Sequence, residues 1–285
     1  MTRKPRISII GAGSFASSLA PALRKAGYSI SEIISRDTPL SRRRAHLLAR
    51  MADANPVTLR SAALEADVLW LCVPDREICH AAETVAAAGK GRVRHVFHSS
   101  GALASREVNS LRKQGAAVAS VHPLMTFVPG SHPKLTGVPF ALEGDASATS
   151  VARRIVRDLG GESFALPSSR KAAYHAWATF TSPLWLAFLV TLEDAARAAG
   201  LTRENARRMS LPIIRQTLEN YSRLGPQHSF SGPIIRGDTA TIAKHLAVLK
   251  KYPPVRDVYV ALGLAALERL PSKNRAELQK LLKKS

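Results

Sequence analysis

A chain of 285 residues with 41 Lys and Arg against 21 Asp and Glu carries a formal charge of +20. The length suits two domains with a real core, and 46% hydrophobic with 22% charged residues excludes disordered and collagen-like classes. Two cysteines, Cys72 and Cys79, have no zinc or redox spacing and exclude a disulfide scaffold, which fits a reducing, cytoplasmic compartment.

The start MTRKPRISIIGAG is basic and then apolar, but its apolar run is cut by glycine after Ile10, too short for a signal-peptide core. Ile7–Ile10 reads as a first strand, Phe15–Ala26 as a helix ended by Gly27, Ile30–Ser35 as a second strand and Arg43–Ala52 as a helix. Val57–Leu59 is a short strand candidate. Asp67–Val73 is a continuous apolar run stopped by Pro74, the pattern of a strand buried on both faces. A helix over Ile78–Ala88 follows, then strands at Val93–Phe97, Ala117–Val121 and Pro139–Leu142. A helix over Ala148–Leu159 and a strand over Ser163–Leu166 complete this half. Such alternation predicts an α/β Rossmann-type, doubly wound and mostly parallel sheet over 1–166.

After Pro167 the pattern becomes helical, with spans near 169–199, 203–223, 239–251, 254–269 and 273–284. The expectation is an all-α C-terminal domain over 167–285. The apolar stretch Tyr174–Leu192 has nearly the length of a membrane span but contains His175, Ser182 and Pro183. It reads as a buried central helix kinked at Pro183, with no membrane partner.

Gly11-Ala12-Gly13-Ser14-Phe15-Ala16 follows the first strand and opens a helix, the context that gives G-x-G-x-x-G/A its meaning. Gly11 allows the tight turn, Gly13 lets the backbone approach a pyrophosphate, and Ala16 permits close helix–strand packing. The free N–H groups at the start of the helix, from Ser14 and Phe15 on, favour an anion. At the end of strand two stands Ser35-Arg36-Asp37, with Arg42 to Arg44 close behind. Ser35 and Arg36 suit the extra phosphate of NADP. With Asp37 as ribose ligand in a shifted register, NAD is the second choice.

In an open parallel sheet the ligand lies beyond the carboxyl ends of the strands. Those ends carry Cys72-Val73-Pro74-Asp75, His98-Ser99-Ser100-Gly101 and His122-Pro123-Leu124. Val73, Pro74 and Ser99 are read as cofactor-lining, and Ser100 and His122 as candidates for catalysis. Ordinary strand-to-helix turns, with Ser100 an N-cap, are the alternative. Lys171 and His175 stand four apart, on one helix face, and either can protonate the atom generated by hydride delivery. Otherwise Lys171 is solvated and His175 a core residue. In Gly232-Pro233-Ile234-Ile235-Arg236-Gly237-Asp238, Asp238 or Thr239 can cap the next helix, leaving Arg236 for a substrate carboxylate or a phosphate.

The segments GAGSFA (11–16), SR (35–36), CVPD (72–75), HSSGAL (98–103), HPL (122–124), KAAYHA (171–176) and SGPIIRGD (231–238) span most of the chain. Together they resemble the NADP-binding Rossmann-like proteins whose helical C-terminal half is a domain of unknown function. Those are distant relatives of pyrroline carboxylate reductase, the deazaflavin-dependent NADP reductases and the beta-hydroxyacid dehydrogenases. The resemblance implies an NAD(P)-linked oxidoreductase that forms a homodimer through its C-terminal helices. In the hydroxyacid dehydrogenases a lysine and an asparagine four residues later serve catalysis. The matching pair is Lys171 and His175, which keeps the lysine and departs at the asparagine; Pro183 departs from a further asparagine of the family.

The expectation is an NADP-dependent oxidoreductase acting on a C=O or C=N of a small anionic substrate held between the domains. A cofactor-binding regulator without turnover is the alternative. Nucleic acid is disfavoured as a partner, because the basic residues are spread along the chain and no zinc-finger or RNP motif accompanies them. No metal site is expected.

Overall fold

The computed structural model describes residues 3–89 and 93–284 of the chain. Met1 and Thr2 of the basic start therefore lie outside the described residues. In chain order, β1 (Ile7–Ile10), α1 (Ser14–Lys25), β2 (Ile30–Ser35), α2 (Pro39–Ala52), β3 (Asn55–Thr58) and β4 (Val68–Leu71) open the fold. Next come α3 (Asp75–Ala88), β5 (His95–His98), α4 (Asn109–Arg112), β6 (Ala117–Pro123), β7 (Pro139–Gly144), α5 (Ala146–Asp158) and β8 (Glu162–Ala165). The helical part comprises α6 (Lys171–Thr181), α7 (Pro183–Ala196), α8 (Arg203–Ser229), α9 (Pro233–Arg236), α10 (Thr239–Leu249), α11 (Pro253–Arg269) and α12 (Arg275–Lys284).

The strands form one sheet in the order β3-β2-β1-β4-β5-β6-β7-β8. All neighbours run parallel except β6 and β7, which are antiparallel. The central strands β1 (ISII) and β4 (VLWL) are buried at every position, Ser8 included, as near-continuous apolar runs in a sheet covered on both faces must be. One face packs Ile7, Ile9, Trp70 and Phe97 against α1, α2 and α5; the other packs Leu69, Leu71 and Val96 against Ile78, Ala82 and Val85 of α3. Both faces being closed, ligands have access only at the strand ends.

Two compact units result, residues 1–179 and 180–285. The composition changes earlier, at Pro167, but the first turns of α6 are fixed to the sheet. Lys171 bonds to Ser100 and Ser120, and Tyr174 to His122. In the second unit Ile242, Leu246, Leu267, Leu278 and Leu282 of α10, α11 and α12 form a core. The Arg207 guanidinium of α8 donates twice to the Glu193 carboxylate of α7, at 2.6 and 3.0 Å.

Two expectations need correction. The span 169–199 is not one kinked helix, because Ser182 (φ −132°, ψ −77°) leaves helical geometry and Pro183 starts α7 afresh. Nor is the Tyr174–Leu192 stretch a buried central helix: Phe180 is 69% and Leu186 62% exposed. The reason is the small size of the α10–α12 core, which leaves this apolar surface uncovered in the single chain. Among the described residues, no helix is long and apolar enough to cross a membrane.

Candidate functional site

The glycine turn joins β1 to α1 at the carboxyl edge of the sheet. Gly11 has φ +104°, and its N–H donates to the Ile34 carbonyl at 2.8 Å. A Cβ there would collide with the Cys72 carbonyl at the end of β4. Only glycine satisfies both the dihedral and the contact. Gly13 is the N-cap of α1 and no side chain caps that helix. The first-turn amides from Ser14 and Phe15 on therefore lack the intrahelical partners that later residues have. Ala16 is fully buried, and Phe15 is held edge-on by Trp70 (6.3 Å) and Phe127 (5.0 Å).

A cleft of about 380 Å³ runs from this turn toward the end of β2. Gly11, Gly13, Ser35, Arg36, Val73 and Pro74 all line it, so six residues singled out in the sequence as cofactor-binding share one concavity. Arg36 is exposed. The hydroxyl of Ser35 is buried and donates to the Arg36 carbonyl at 3.2 Å. Asp37 pairs with Arg42 at 3.2 Å. A second hollow, about 740 Å³, meets the turn at Gly13 and Ser14.

Beyond the ends of β4, β5 and β6 lies a polar cluster. Lys171 is 2% exposed, and its Nζ donates to the Ser100 carbonyl at 3.0 Å and to Ser120 Oγ at 2.6 Å. Ser120 Oγ in turn donates to the Ser100 carbonyl at 3.0 Å. Burial pushes the Lys171 ammonium down to about 8, against the pull of Glu143 and Asp75. Both carboxylates are otherwise engaged, Glu143 by the N–H and Oγ of Ser105 and Asp75 by Ser100 Oγ at 2.6 Å. Ser100 Oγ also accepts from the N–H groups of Ala102 and Leu103, so the turn-capping and site readings of this serine hold at once.

His98 is wholly buried and accepts from the Ser100 N–H on Nδ1, which leaves Nε2–H to donate to the Ala104 carbonyl. That arrangement requires the neutral ring, and burial lowers its pKa to about 4. His122 shares a 2.7 Å hydrogen bond between Nδ1 and the Tyr174 hydroxyl. Its ring lies over Gly101, where a Cβ would come within 2.7 Å of Nε2. Burial first, and then the neighbouring Lys171 charge, lower its pKa to about 4 as well. Ser99 is drawn the other way, accepting from Trp70 Nε1 at 2.8 Å.

Lys171, His122 and Ser100 are thus brought together. His175 is exposed, and Tyr174 takes its place in the cluster. The alternative of a solvated lysine and a core histidine is inverted. Arg236 belongs to the second unit, exposed at the end of α9, while Asp238 caps α10 through the N–H and Oγ1 of Thr241. Sequence reasoning missed Ser120 and Tyr174. The spacing from Lys171 to Tyr174 is the i, i+3 neighbour that a helix face also permits. Among the described residues, no group of three or more His, Cys, Asp or Glu stands in a metal-holding arrangement.

Residues 2–123 match the family profile of a Rossmann-like domain, and residues 138–266 that of a domain of unknown function, DUF2520. No curated protein matches the chain. Among solved structures, a protein of Bacteroides fragilis assigned as an NADP oxidoreductase is 23% identical, with a TM-score of 0.76 over 93% of this chain and 99% of that one. An imine reductase from Myxococcus stipitatus in complex with NADP+ is 18% identical, with a TM-score of 0.64 over 98% and 100%. The pyrroline-5-carboxylate reductase of Coxiella burnetii is also 18% identical, with a TM-score of 0.59 over 98% and 99%.

Proposed function

We propose that the chain is an NADP-dependent oxidoreductase acting on a C=O or C=N carbon of a small anionic substrate. The observation that carries this reading is the Gly11–Ala16 turn, whose missing Cβ and uncapped helix start open onto the cleft that ends at Arg36. The turn fits a dinucleotide, and the fold is shared with oxidoreductases that bind NADP. Gly13, Ser14 and Phe15 receive the pyrophosphate by backbone N–H groups, while Gly11, its own N–H spent on the Ile34 carbonyl, makes the tight turn and Ala16 holds α1 against the sheet. Arg36 takes the adenosine phosphate, while Val73, Pro74 and Ser99 border the cofactor. The pairing of Asp37 with Arg42 favours NADP over NAD, because it occupies the carboxylate that would otherwise accept the ribose hydroxyls.

When bound, the cofactor supplies or accepts the hydride. Lys171 holds the proton for the oxygen or nitrogen on Nζ, in a water-poor position that keeps the proton exchangeable near neutral pH. Ser100 and Ser120 orient the ammonium, and His122, neutral and braced by Tyr174, borders it. His175 lies close enough for its charge to reach His122. Arg236 enters no step of this reading.

Arg36→Ala should weaken NADPH binding by about 1.5–3 kcal/mol, the scale of a charged hydrogen bond, and leave NADH affinity almost unchanged. Fluorescence titration with both nucleotides tests this, and equal loss for both would remove the NADP assignment. Tyr174→Phe should cost about 1 kcal/mol of stability by leaving His122 Nδ1 without its partner, read by urea denaturation.

The same reading takes the protein as a homodimer through its C-terminal helices. Phe180, Leu186, Ile213 and Tyr221 are each more than half exposed in the single chain, which is unusual for large apolar side chains. Leu186→Asp should therefore yield monomers in light scattering at concentrations where the parent chain is dimeric. A monomeric parent chain would contradict the assignment.

A further inference from the structure

Three arginines follow one another at the start of α2, and the structure gives them different surroundings. Arg42 is spent on Asp37, at 3.2 Å. Arg43 is exposed and lines neither hollow beside the glycine turn. Arg44 lines both, together with Ala12 and Gly13, and has no hydrogen bond or ion pair among the described residues. It is the cation that the helix turns toward the space where the two hollows meet.

The helical repeat accounts for this selection. Ser41, Arg44 and Leu48 are spaced three and four apart and lie along one stripe of α2. Leu48 is 3% exposed and anchors that stripe to the core, so Ser41 and Arg44 above it face the cleft. The rotation of the helix is set at its start, where Thr38 Oγ1 accepts the Ser41 N–H at 3.3 Å and donates to Ser41 Oγ at 2.9 Å. Ser41 Oγ therefore receives one bond and keeps its own proton to donate. Ser35, by contrast, already uses its proton on the Arg36 carbonyl.

We propose that Ser41 and Arg44 form the second arm of an adenosine-phosphate site, closing on the phosphate from α2 while Arg36 approaches from the end of β2. The proposal rests on the cofactor reading above and assigns the hydroxyl donor to Ser41. Two guanidinium groups and one hydroxyl match a phosphate dianion in charge and donor count, whereas a ribose hydroxyl offers no charge and a single acceptor oxygen. Arg42 serves the same end indirectly by holding Asp37, whose free carboxylate would repel the phosphate.

Fluorescence titration of the full-length chain with NADPH and with NADH provides the test, on the parent protein and on Arg44→Ala, Arg43→Ala and Ser41→Ala. Arg44→Ala should raise the NADPH dissociation constant about 10- to 100-fold and change that of NADH less than about twofold. Ser41→Ala should act in the same direction, by roughly threefold to tenfold. Arg43→Ala should leave both nucleotides as they were. An Arg44→Ala protein that keeps the parent preference for NADPH would overturn the proposal while leaving the cofactor reading intact. So would an Arg43→Ala protein that loses as much as Arg44→Ala, since a diffuse positive field would then be the cause. A parent protein without preference for NADPH would overturn the cofactor reading itself. Arg44 is exposed, so folding is not at stake, and Arg44→Lys should fall between the parent and the alanine variant.

Discussion

Lys171→Met should lower turnover by about 10²- to 10⁴-fold, the contribution of a positioned proton donor, while NADPH binding stays within about twofold of the parent. Methionine fills a similar volume, and the Ser100 carbonyl keeps the hydrogen bond from Ser120 Oγ, so the fold tolerates the change. Single-turnover oxidation of NADPH alongside a binding titration separates the two effects. Parental turnover in the variant would remove Lys171 from the mechanism.

The same residue sets a pH dependence of definite sign. With its pKa lowered to about 8, Lys171 loses its proton as pH rises through that value, so the reductive rate should fall about tenfold per unit above it. Stability should move oppositely. The unfolded chain holds this proton up to about 10.5 and the folded chain only to about 8, so the unfolded state binds more protons between them and stability rises with pH over that interval. His122 and His98, with pKa values near 4, stay neutral throughout and cannot mimic either limb.

Gly11→Ala should abolish NADPH binding and also destabilise the protein by roughly 2–4 kcal/mol, from a left-handed φ combined with a collision against a backbone carbonyl. Gly13→Ala makes a sharp contrast. At φ −85° with its nearest new neighbour 4.0 Å away, Gly13 has room for a methyl group within the fold. Stability should therefore stay within about 0.5 kcal/mol, whereas NADPH affinity should drop at least about tenfold, because that methyl stands where the pyrophosphate must approach. Urea denaturation and nucleotide titration on the pair distinguish the two roles. Equal binding losses with equal stability losses would mean that the turn is merely a turn.

Much of the sheet is legible in the residues because its central strands are short, largely apolar runs, broken only by Ser8 in ISII and by Ser31, Glu32 and Ser35 in ISEIIS. Ile7–Ile10 ends at Gly11 and Ile30–Ser35 at Arg36, and both strands occupy those bounds. The glycine turn is equally legible, since the requirement it meets is local. What was not legible depends on contacts between segments far apart in the chain. Four-residue spacing places Lys171 and His175 on one helix face, but only the docking of α6 on the sheet decides that Lys171 and Tyr174 point inward and His175 out. Ser120 likewise reads as an ordinary inward position of a buried strand until Lys171 arrives from 51 residues away. The exposure of α7 is a third case, because hydropathy reports that a surface must be covered and not by what.

The excess of positive charge now divides unevenly. Arg36 and Arg44 line the cleft, Arg42 restrains Asp37, and Arg207 ties α8 to α7. Most of the remaining described basic residues are exposed and spread along the chain. Calorimetric titration of the parent protein with NADPH, NADH and a short oligonucleotide, followed by thermal denaturation of each mixture, tests the central claim most directly. Saturating NADPH at about 100 times its dissociation constant should stabilise the fold by roughly 2.7 kcal/mol, with NADH much weaker and the oligonucleotide without effect. Equal binding of NADH, or stabilisation by the oligonucleotide alone, would contradict it.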